Sequence, residues 1–405
     1  MTNRKPGDFL NSIKSTGIRP GLETIARLLE ELDNPQDFLK CIHIAGTNGK
    51  GSLSMFLTSV FNQAGIKSAR FNTPAVFKIN EMFSVSGVSI SDEAFIRIEE
   101  IVRKAAEHVQ EKCGLTPTEF ECETAMAFYW FKEQAVDIVL LECGMGGLLD
   151  ATNIIRTNIC SVITSISLEH MAYLGSSIEE IAEMKSGIIK PSSPVFIPDS
   201  LQEEAIRIVK KNAFFNNSYV FYVKKYTEIP MKALYQYQNA GLAIDICYYL
   251  NSLGYRIAEE NMKDGIRDAY IPGRFEFLSE DPAVVIDGAH NPEAVAALME
   301  SLENNFPGQK LLFIYGAFQD KDIKKILEII APAVKELYCV RVPSKRAEDP
   351  ALIAEIAHET GINAKVMEEP EAALDTCLAS KTGNPVICFG SLSYLYQIKE
   401  CMTND

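Results

Sequence analysis

Nowhere does the 405-residue chain hold the roughly 18 uninterrupted apolar residues that a membrane-spanning helix requires, so no membrane partner is expected. Basic residues are in short supply. The 39 lysines and arginines stand against 54 aspartates and glutamates, a formal net charge of −15. Non-specific attraction to nucleic acid or anionic lipid calls for basic patches, so small-molecule substrates are favoured instead. A Cys-x-x-Cys pair is missing too. The ten cysteines are scattered, mostly inside apolar runs such as Val386-Ile387-Cys388-Phe389, which points to buried thiols. The opening stretch Met1 to Asp8 lacks the apolar h-region of a secretory signal, so a cytoplasmic location is expected. Fixed-period repeats and low-complexity tracts are also lacking. The rest is ordinary globular composition in a chain longer than one core usually serves, and two domains are the natural expectation.

Glycine is concentrated in one telling place. Gly46-Thr47-Asn48-Gly49-Lys50-Gly51-Ser52 follows the apolar run Cys41–Ala45 and precedes the helical pattern Leu53–Ala64, which reads as strand, phosphate loop, helix. Its glycines let backbone N–H groups turn toward phosphate oxygens, and the helix N-terminus adds positive potential. Lys50 neutralises phosphate charge and Ser52 offers a hydroxyl to Mg²⁺, so a nucleoside triphosphate such as ATP is the expected ligand. The spacing differs from the common phosphate loop, because only Thr47 and Asn48 separate the first two glycines and Gly51 intervenes between Lys50 and Ser52. A Gly/Asn-rich surface turn is the competing reading, and the flanking strand and helix patterns weigh against it.

Short Val/Ile-rich runs alternate with helical segments, the rhythm of an α/β fold with mostly parallel sheets. Strands are predicted at Cys41–Ala45, Val136–Leu141, Cys160–Ser165, Pro194–Ile197, Val284–Ile286, Leu311–Tyr315, Leu337–Val342 and Val386–Phe389. Polar segments follow these strands, where open parallel sheets bind their ligands. Ile271-Pro272-Gly273-Arg274 marks a break. The expected division is a phosphate-loop domain over residues 1–271 and a smaller, Rossmann-like α/β domain over 272–405.

Glu142 closes an apolar run, where a carboxylate is costly unless it meets a cation; Mg²⁺ would resolve that cost, and capping of the next turn is the alternative. Gly144-Met145-Gly146-Gly147 lacks the third glycine and following helix of a dinucleotide fingerprint, which argues against a dehydrogenase. His170 follows a strand after a short polar turn and is either a metal ligand or a satisfied structural group. Lys185, after the helical stretch Ile178–Met184, is either a solvated lysine or a functional one. Near Mg²⁺ its ammonium would be repelled, so a functional Lys185 there must contact phosphate or be converted to an anion. Asp287-Gly288-Ala289-His290-Asn291-Pro292 forms a polar cluster too dense for a core, and Arg274 is a further candidate cation for the nucleotide.

These residues together resemble the folylpolyglutamate synthase and dihydrofolate synthase family of the Mur ligase superfamily. The resemblance runs from Pro20-Gly21-Leu22 through the Ala45–Ser52 loop and Glu142–Gly147, then Leu149–Asn153 and Ser165–His170. It continues through Glu183–Pro191, Gln238-Asn239-Ala240, Pro272–Glu276, Asp287–Pro292, Asp320-Lys321-Asp322 and Gly390-Ser391-Leu392. It implies an ATP-dependent amide ligase whose two domains close over the nucleotide; a monomer is expected. An acceptor carboxylate of folate or pteroate type would be phosphorylated by ATP to an acyl phosphate and then captured by the amino group of glutamate. By resemblance Ser52, Glu142 and His170 match magnesium ligands, and Lys185 matches a lysine that is carbamylated and sits at the metal. Asn239, Arg274 and Asp287 match nucleotide-contacting positions, and His290 lies in the motif facing the phosphates.

One region departs from the family pattern. A Ser-Pro-His-Leu segment becomes Thr73-Pro74-Ala75-Val76, arginines common in the following loop become Asn80, Met82 and Ser84, and Leu148 replaces an arginine in the Gly-Gly-Arg-Leu-Asp pattern. Either other cations such as Lys78 or Arg346 supply the missing contacts, or the acceptor is different and less anionic. A small-molecule kinase would share the phosphate loop and Glu142 but would leave a stable phosphorylated product.

Overall fold

In a parallel sheet covered on both faces, each strand must be apolar throughout, and the predicted runs meet that requirement. The computed structural model describes residues 5–14, 17, 19–75, 78–380 and 383–403. The chain divides into two compact units, Met1–Ile229 with Gln238–Ala269, and Pro230–Tyr237 with Tyr270–Asp405.

The first unit holds strands β1 (Cys41–Ala45), β2 (Ser68–Phe71), β3 (Phe83–Val85), β4 (Val88–Ser89), β5 (Ile138–Glu142), β6 (Cys160–Ile163), β7 (Val195–Pro198) and β8 (Val220–Val223). They form one sheet in the order β4-β3-β2-β5-β1-β6-β7-β8. From β2 to β8 the pairing is parallel, and β3 and β4 continue the edge antiparallel. One face is covered by helices Glu23–Glu30, Asp92–Cys113 and Glu119–Glu133, which share a core with Phe71, Val139 and Leu141. Helix Lys50–Gln63 packs closely on helix Glu259–Asp268. At their crossing a Cβ on Gly265 would lie 2.5 Å from the Val60 Cα, so glycine permits the approach.

The second unit holds β9 (Glu276–Glu280), β10 (Ala283–Asp287), β11 (Leu311–Tyr315), β12 (Val334–Cys339), β13 (Ala364–Val366) and β14 (Val386–Phe389). Their order is β13-β12-β11-β14-β10-β9, parallel except for β9 at the edge. Residues 230–237 belong to this unit because Leu234 N–H donates to Ser301 Oγ at 3.0 Å and Tyr235 Oη donates to Asp287 at 2.5 Å. The architecture is α/β with two mostly parallel sheets.

All eight predicted strands are present, with ends shifted by up to three residues. The run at 136 starts later because Ala135 adopts a left-handed conformation in a turn, and β5 begins at Ile138 and includes Glu142. The strands beyond those eight are the short, charged or edge ones. Among the described residues no helix is long and apolar enough to cross a membrane.

Candidate functional site

Because β1 pairs with β5 on one side and β6 on the other, the loop leaving β1 is flanked by whatever follows its two neighbours. The register sets Ile44 beside Glu142 and Ala45 beside Ile163. Gly46 has φ 155° and Gly49 φ 90°, and their constraints come from both sides. A Cβ on Gly46 would lie 2.0 Å from Thr164 Oγ1, and one on Gly49 would lie 2.5 Å from Asn239 Oδ1. The segment after β6 laces the loop in place. Asn48 N–H donates to Ser165 Oγ at 2.8 Å, Thr164 Oγ1 donates to Asn48 O at 2.6 Å, and Ser167 N–H donates to Thr47 Oγ1 at 3.1 Å.

Helix Lys50–Gln63 starts directly from Gly49, leaving its first N–H groups at the loop. Lys50 Nζ bends back to donate to Gly46 O at 2.7 Å and Thr47 O at 3.3 Å, and lies 4.0 Å from Glu142 Oε1. Glu142 is 4% exposed, and its Oε2 accepts a hydrogen bond from Asn72 Nδ2. Ser52 is buried beside them on the first turn. The structure therefore brings together Gly46 to Ser52, Glu142 and Asn239, and adds Asn72, Thr164, Ser165 and Ser167. Asn72 is legible only to a reader who sees that Ser68–Phe71 is a strand. Thr164, Ser165 and Ser167 had a signal in sequence, since they lie at the end of a predicted strand.

A hard divalent cation favours oxygen donors of the kinds present here, the Ser52 hydroxyl and the buried Glu142 carboxylate. Among the described residues no three His, Cys, Asp or Glu side chains converge on one point, so the protein would supply few such ligands. His170 adopts a left-handed φ of 50° at the start of the turn Met171–Leu174, and its half-exposed ring lies 3.9 Å from the Glu169 carboxylate. Lys185 lies within helix Ile178–Ser186, which runs past the predicted stretch to include it, and is 3% exposed. Gly147 sits against the Met184 and Lys185 carbonyls, 2.9 Å from each for a Cβ, and Leu148 N–H donates to Met184 O at 2.7 Å. The glycine-rich loop after Glu142 is thereby held on the end of the Lys185 helix. The charges of Lys50 and Lys185 both act on the Cys143 thiol next to Glu142, although burial dominates and pushes that thiol up.

Beside the same loop opens a mostly apolar cleft of about 310 Å³, lined by Phe120, Gly144, Met145, Leu149 and Tyr173, with Arg19 at its wall. A Cβ on Gly144 would lie 2.7 Å from the Phe120 ring, so glycine lets the loop lie flat on the aromatic face.

In the second unit, Asp287 ends β10 fully enclosed. Its Oδ2 accepts from Tyr235 Oη at 2.5 Å and Phe275 N–H at 2.8 Å, and its Oδ1 accepts from Ala289 N–H at 2.8 Å. Burial raises its pKa, while the Arg274 guanidinium and these donors oppose the rise. Arg274 packs over Gly288, where a Cβ would lie 2.5 Å from Nη1. His290 Nδ1 donates to Gly288 O at 2.9 Å. Arg274, Asp287 and His290 are thus one cluster, with Tyr235 the member that sequence reasoning misses.

The departing positions are engaged structurally. Asn80 donates to Ile90 O and Asp92, Met82 joins the core, Ala75 packs half-buried against it, and Leu148 is exposed. Val76 lies outside the described residues. Lys78 is exposed, and Arg346 of the second unit pairs with Asp320 at 3.0 Å.

Behind the phosphate loop, β1 carries His43, wholly enclosed. Its Nε2 meets Thr152 Oγ1 at 2.9 Å and Cys143 Sγ at 3.2 Å, and its Nδ1 has no partner. Burial, helped by the Lys190 charge, pulls its pKa down to about 3.

Known proteins resemble this chain over nearly its whole length. Residues 44–256 match the Mur ligase middle domain and residues 273–392 the Mur ligase glutamate ligase domain. A dihydrofolate synthase/folylpolyglutamate synthase of Bacillus subtilis is 32% identical over 95% of each chain. A folylpolyglutamate synthase of Lacticaseibacillus casei is 28% identical over 93% of each. Folylpolyglutamate synthase of Mycobacterium tuberculosis, solved with ADP and AMPPCP, superposes with a TM-score of 0.89 at 26% identity over 98% of each chain. Escherichia coli FolC, solved with DHPP and ADP, gives 0.89 at 26% identity, covering 99% of this chain and 98% of its own.

Acid titration isolates the buried histidine. Its folded pKa lies below the unfolded value, so the stability tied to neutral His43 is complete above pH 6.5 and is lost as pH falls from there toward 3. The expected slope is roughly 1.4 kcal/mol per pH unit. Urea midpoints at pH 7 and pH 5 should show about 2 kcal/mol of loss attributable to this residue, and a His43→Gln variant, weaker at neutral pH, should show a correspondingly flatter dependence.

Proposed function

The chain belongs to the folylpolyglutamate synthase and dihydrofolate synthase family of Mur-type ligases, and from that premise we propose how its own residues carry the reaction. It is an ATP-dependent ligase that joins glutamate to a folate-type carboxylate through an acyl phosphate, releasing ADP and phosphate. The observation that carries this reading is the half-buried Lys50 ammonium 4.0 Å from the buried Glu142 carboxylate at the glycine loop.

The N–H groups of Gly49 to Ser52 and the Lys50 ammonium bind the β- and γ-phosphates, with Lys50 leaving the loop carbonyls that it now touches. Ser52 and Glu142 would hold Mg²⁺, with His170 as a further ligand; the bound ion supplies Lewis-acid stabilisation of charge on the transferred phosphoryl group. Asn72 keeps Glu142 oriented, a partner of the kind that metal ligands require. Asn239, against Gly49, is assigned to the nucleotide, as are Arg274 and Asp287, with His290 on the phosphate side; their match to the family pattern supports the assignment. The apolar cleft against Phe120 suits a flat heteroaromatic acceptor, whose carboxylate would then reach the phosphate end.

Lys185 is read as a carbamate. Its burial beside a loop that follows a metal ligand makes an ammonium costly, and carbamylation exchanges it for an anion that suits the ion. The enzyme is read as a cytoplasmic monomer.

Two substitutions test these roles. Lys50→Ala should cut amide formation by about 10²-fold or more while leaving the thermal midpoint near the wild-type value, because the residue acts by charge. Phosphate release measured with ATP, Mg²⁺, glutamate and dihydropteroate or tetrahydrofolate reads the effect, and near-normal release by the variant contradicts the assignment. Lys185→Ala should recover part of its lost activity on addition of short carboxylates; a folded, ATP-binding variant wholly insensitive to them speaks against the carbamate.

A further inference from the structure

The cations missing from positions 82 and 84 leave the edge of the first unit's sheet short of positive charge, yet a buried arginine lies there on a different strand. Arg70, in the middle of β2, is 7% exposed. In the antiparallel β2–β3 pair it stands directly opposite Ser84, and its Nε donates to Ser84 Oγ at 3.3 Å. A side chain on β3 at position 84 and one on β2 at position 70 lean from the same cross-strand site over the same face. Arg70 therefore delivers a guanidinium to the neighbourhood where Ser84 has none.

Its protein partners engage only part of the guanidinium. Nη1 meets the Met55 thioether, a weak acceptor, and Nη2, which has no protein acceptor among the described residues, is not one of the buried orphaned polar atoms and so remains open to solvent or a ligand. No carboxylate among the described residues comes within ion-pair distance of it. The charges of Glu142 and Glu81 reach it but only partly offset burial, which pulls its pKa down to about 10. Such a group is costly to bury unless something completes it, and replacing it by a leucine of the strand's own apolar character would be the cheaper packing.

Location narrows what completes it. Met55 stands on the helix that begins at the phosphate loop, and Asn72, two residues beyond Arg70, holds Glu142. β2 is two strands from β1, roughly 10 Å across the sheet, so Arg70 lies beyond the phosphates, which the loop amides and Lys50 already serve. The substrates of this reaction carry carboxylates besides the one that is activated. A planar fork of N–H donors matches a carboxylate in two parallel hydrogen bonds.

We propose that Arg70 is a substrate-binding residue that holds a non-reacting carboxylate of the glutamate or of the folate-type acceptor, supplying from β2 the charge that resembling enzymes carry at position 84. The inference rests on the ligase reading. It makes the substitution at Ser84 one half of an exchange between paired strands and removes the need for a less anionic acceptor.

Initial rates with each of ATP, Mg²⁺, glutamate, dihydropteroate and a glutamylated tetrahydrofolate varied in turn test it. Arg70→Leu should raise one carboxylate substrate's KM by about tenfold or more, with the KM for ATP within about threefold of wild type. A rise for glutamate assigns the incoming amino acid, and a rise for glutamylated tetrahydrofolate alone assigns the acceptor. The double variant Arg70→Leu/Ser84→Arg should recover most of the loss, which a purely packing role would not allow. Should Arg70→Leu fail to fold, Arg70→Lys keeps the charge and loses the fork, and should still raise the same KM several-fold. Unchanged carboxylate KM values, an equal rise for ATP, an effect confined to the Mg²⁺ requirement, or a double variant no better than the single one overturns the proposal. A wild-type protein that releases no phosphate with any of these acceptors would instead defeat the ligase reading itself.

Discussion

The site depends on the place of β1 in the middle of its sheet, hydrogen-bonded to β5 and β6 in parallel. That pairing sets the glycine loop between Glu142 and the Thr164–Ser167 segment, so a metal-ligand candidate and a set of loop-fixing hydroxyls arrive without any long-range search. The close approach leaves no room for side chains at Gly46 and Gly49. With the Thr47 and Asn48 N–H groups spent on Ser165, the loop is fixed ahead of the helix N-terminus before a ligand arrives, and preorganisation of this kind is what gives electrostatic catalysis its effect.

Around this centre a chain of net charge −15 gathers cations withdrawn from the surface: the half-buried Lys50 and buried Arg70 near Glu142, and buried Lys185 under the following loop. Overall acidity repels anions, so an anionic ligand is best met by such local, desolvated groups, where a charge acts through a lower dielectric than at the surface. Each is supported by a different element, so on the assignment proposed above the phosphate-binding and carboxylate-binding groups can change separately. The stretch from Ala75 to Ser84 departs from the family pattern while the loop, Ser52 and Glu142 are retained.

How far the fold and the site are legible in sequence follows from burial. Strands enclosed on both faces, such as Cys41–Ala45 and Val386–Phe389, are continuous apolar runs and can be read directly. Ser68-Ala69-Arg70-Phe71 escapes such a reading because a charged residue interrupts it, and that residue is the one assigned to a substrate carboxylate. Missing the strand also hides Asn72 at its end. β8, Val220-Phe221-Tyr222-Val223, is a four-residue edge strand left largely exposed despite its apolar sequence, β9 is an edge strand of mixed sequence, and β13 is only three residues long. The link between Tyr235 and Asp287 spans 52 residues, and no local pattern announces it.

If ATP activates a carboxylate for capture by an amine, ¹⁸O placed in the acceptor carboxyl reports it most directly, because the oxygen that bridges carbon and phosphorus in an acyl phosphate leaves with the phosphate when the amine attacks carbon. Inorganic phosphate carrying a single ¹⁸O for each amide formed from fully labelled carboxylate is the predicted result. Phosphate released without label, or retained on a stable product, would contradict it.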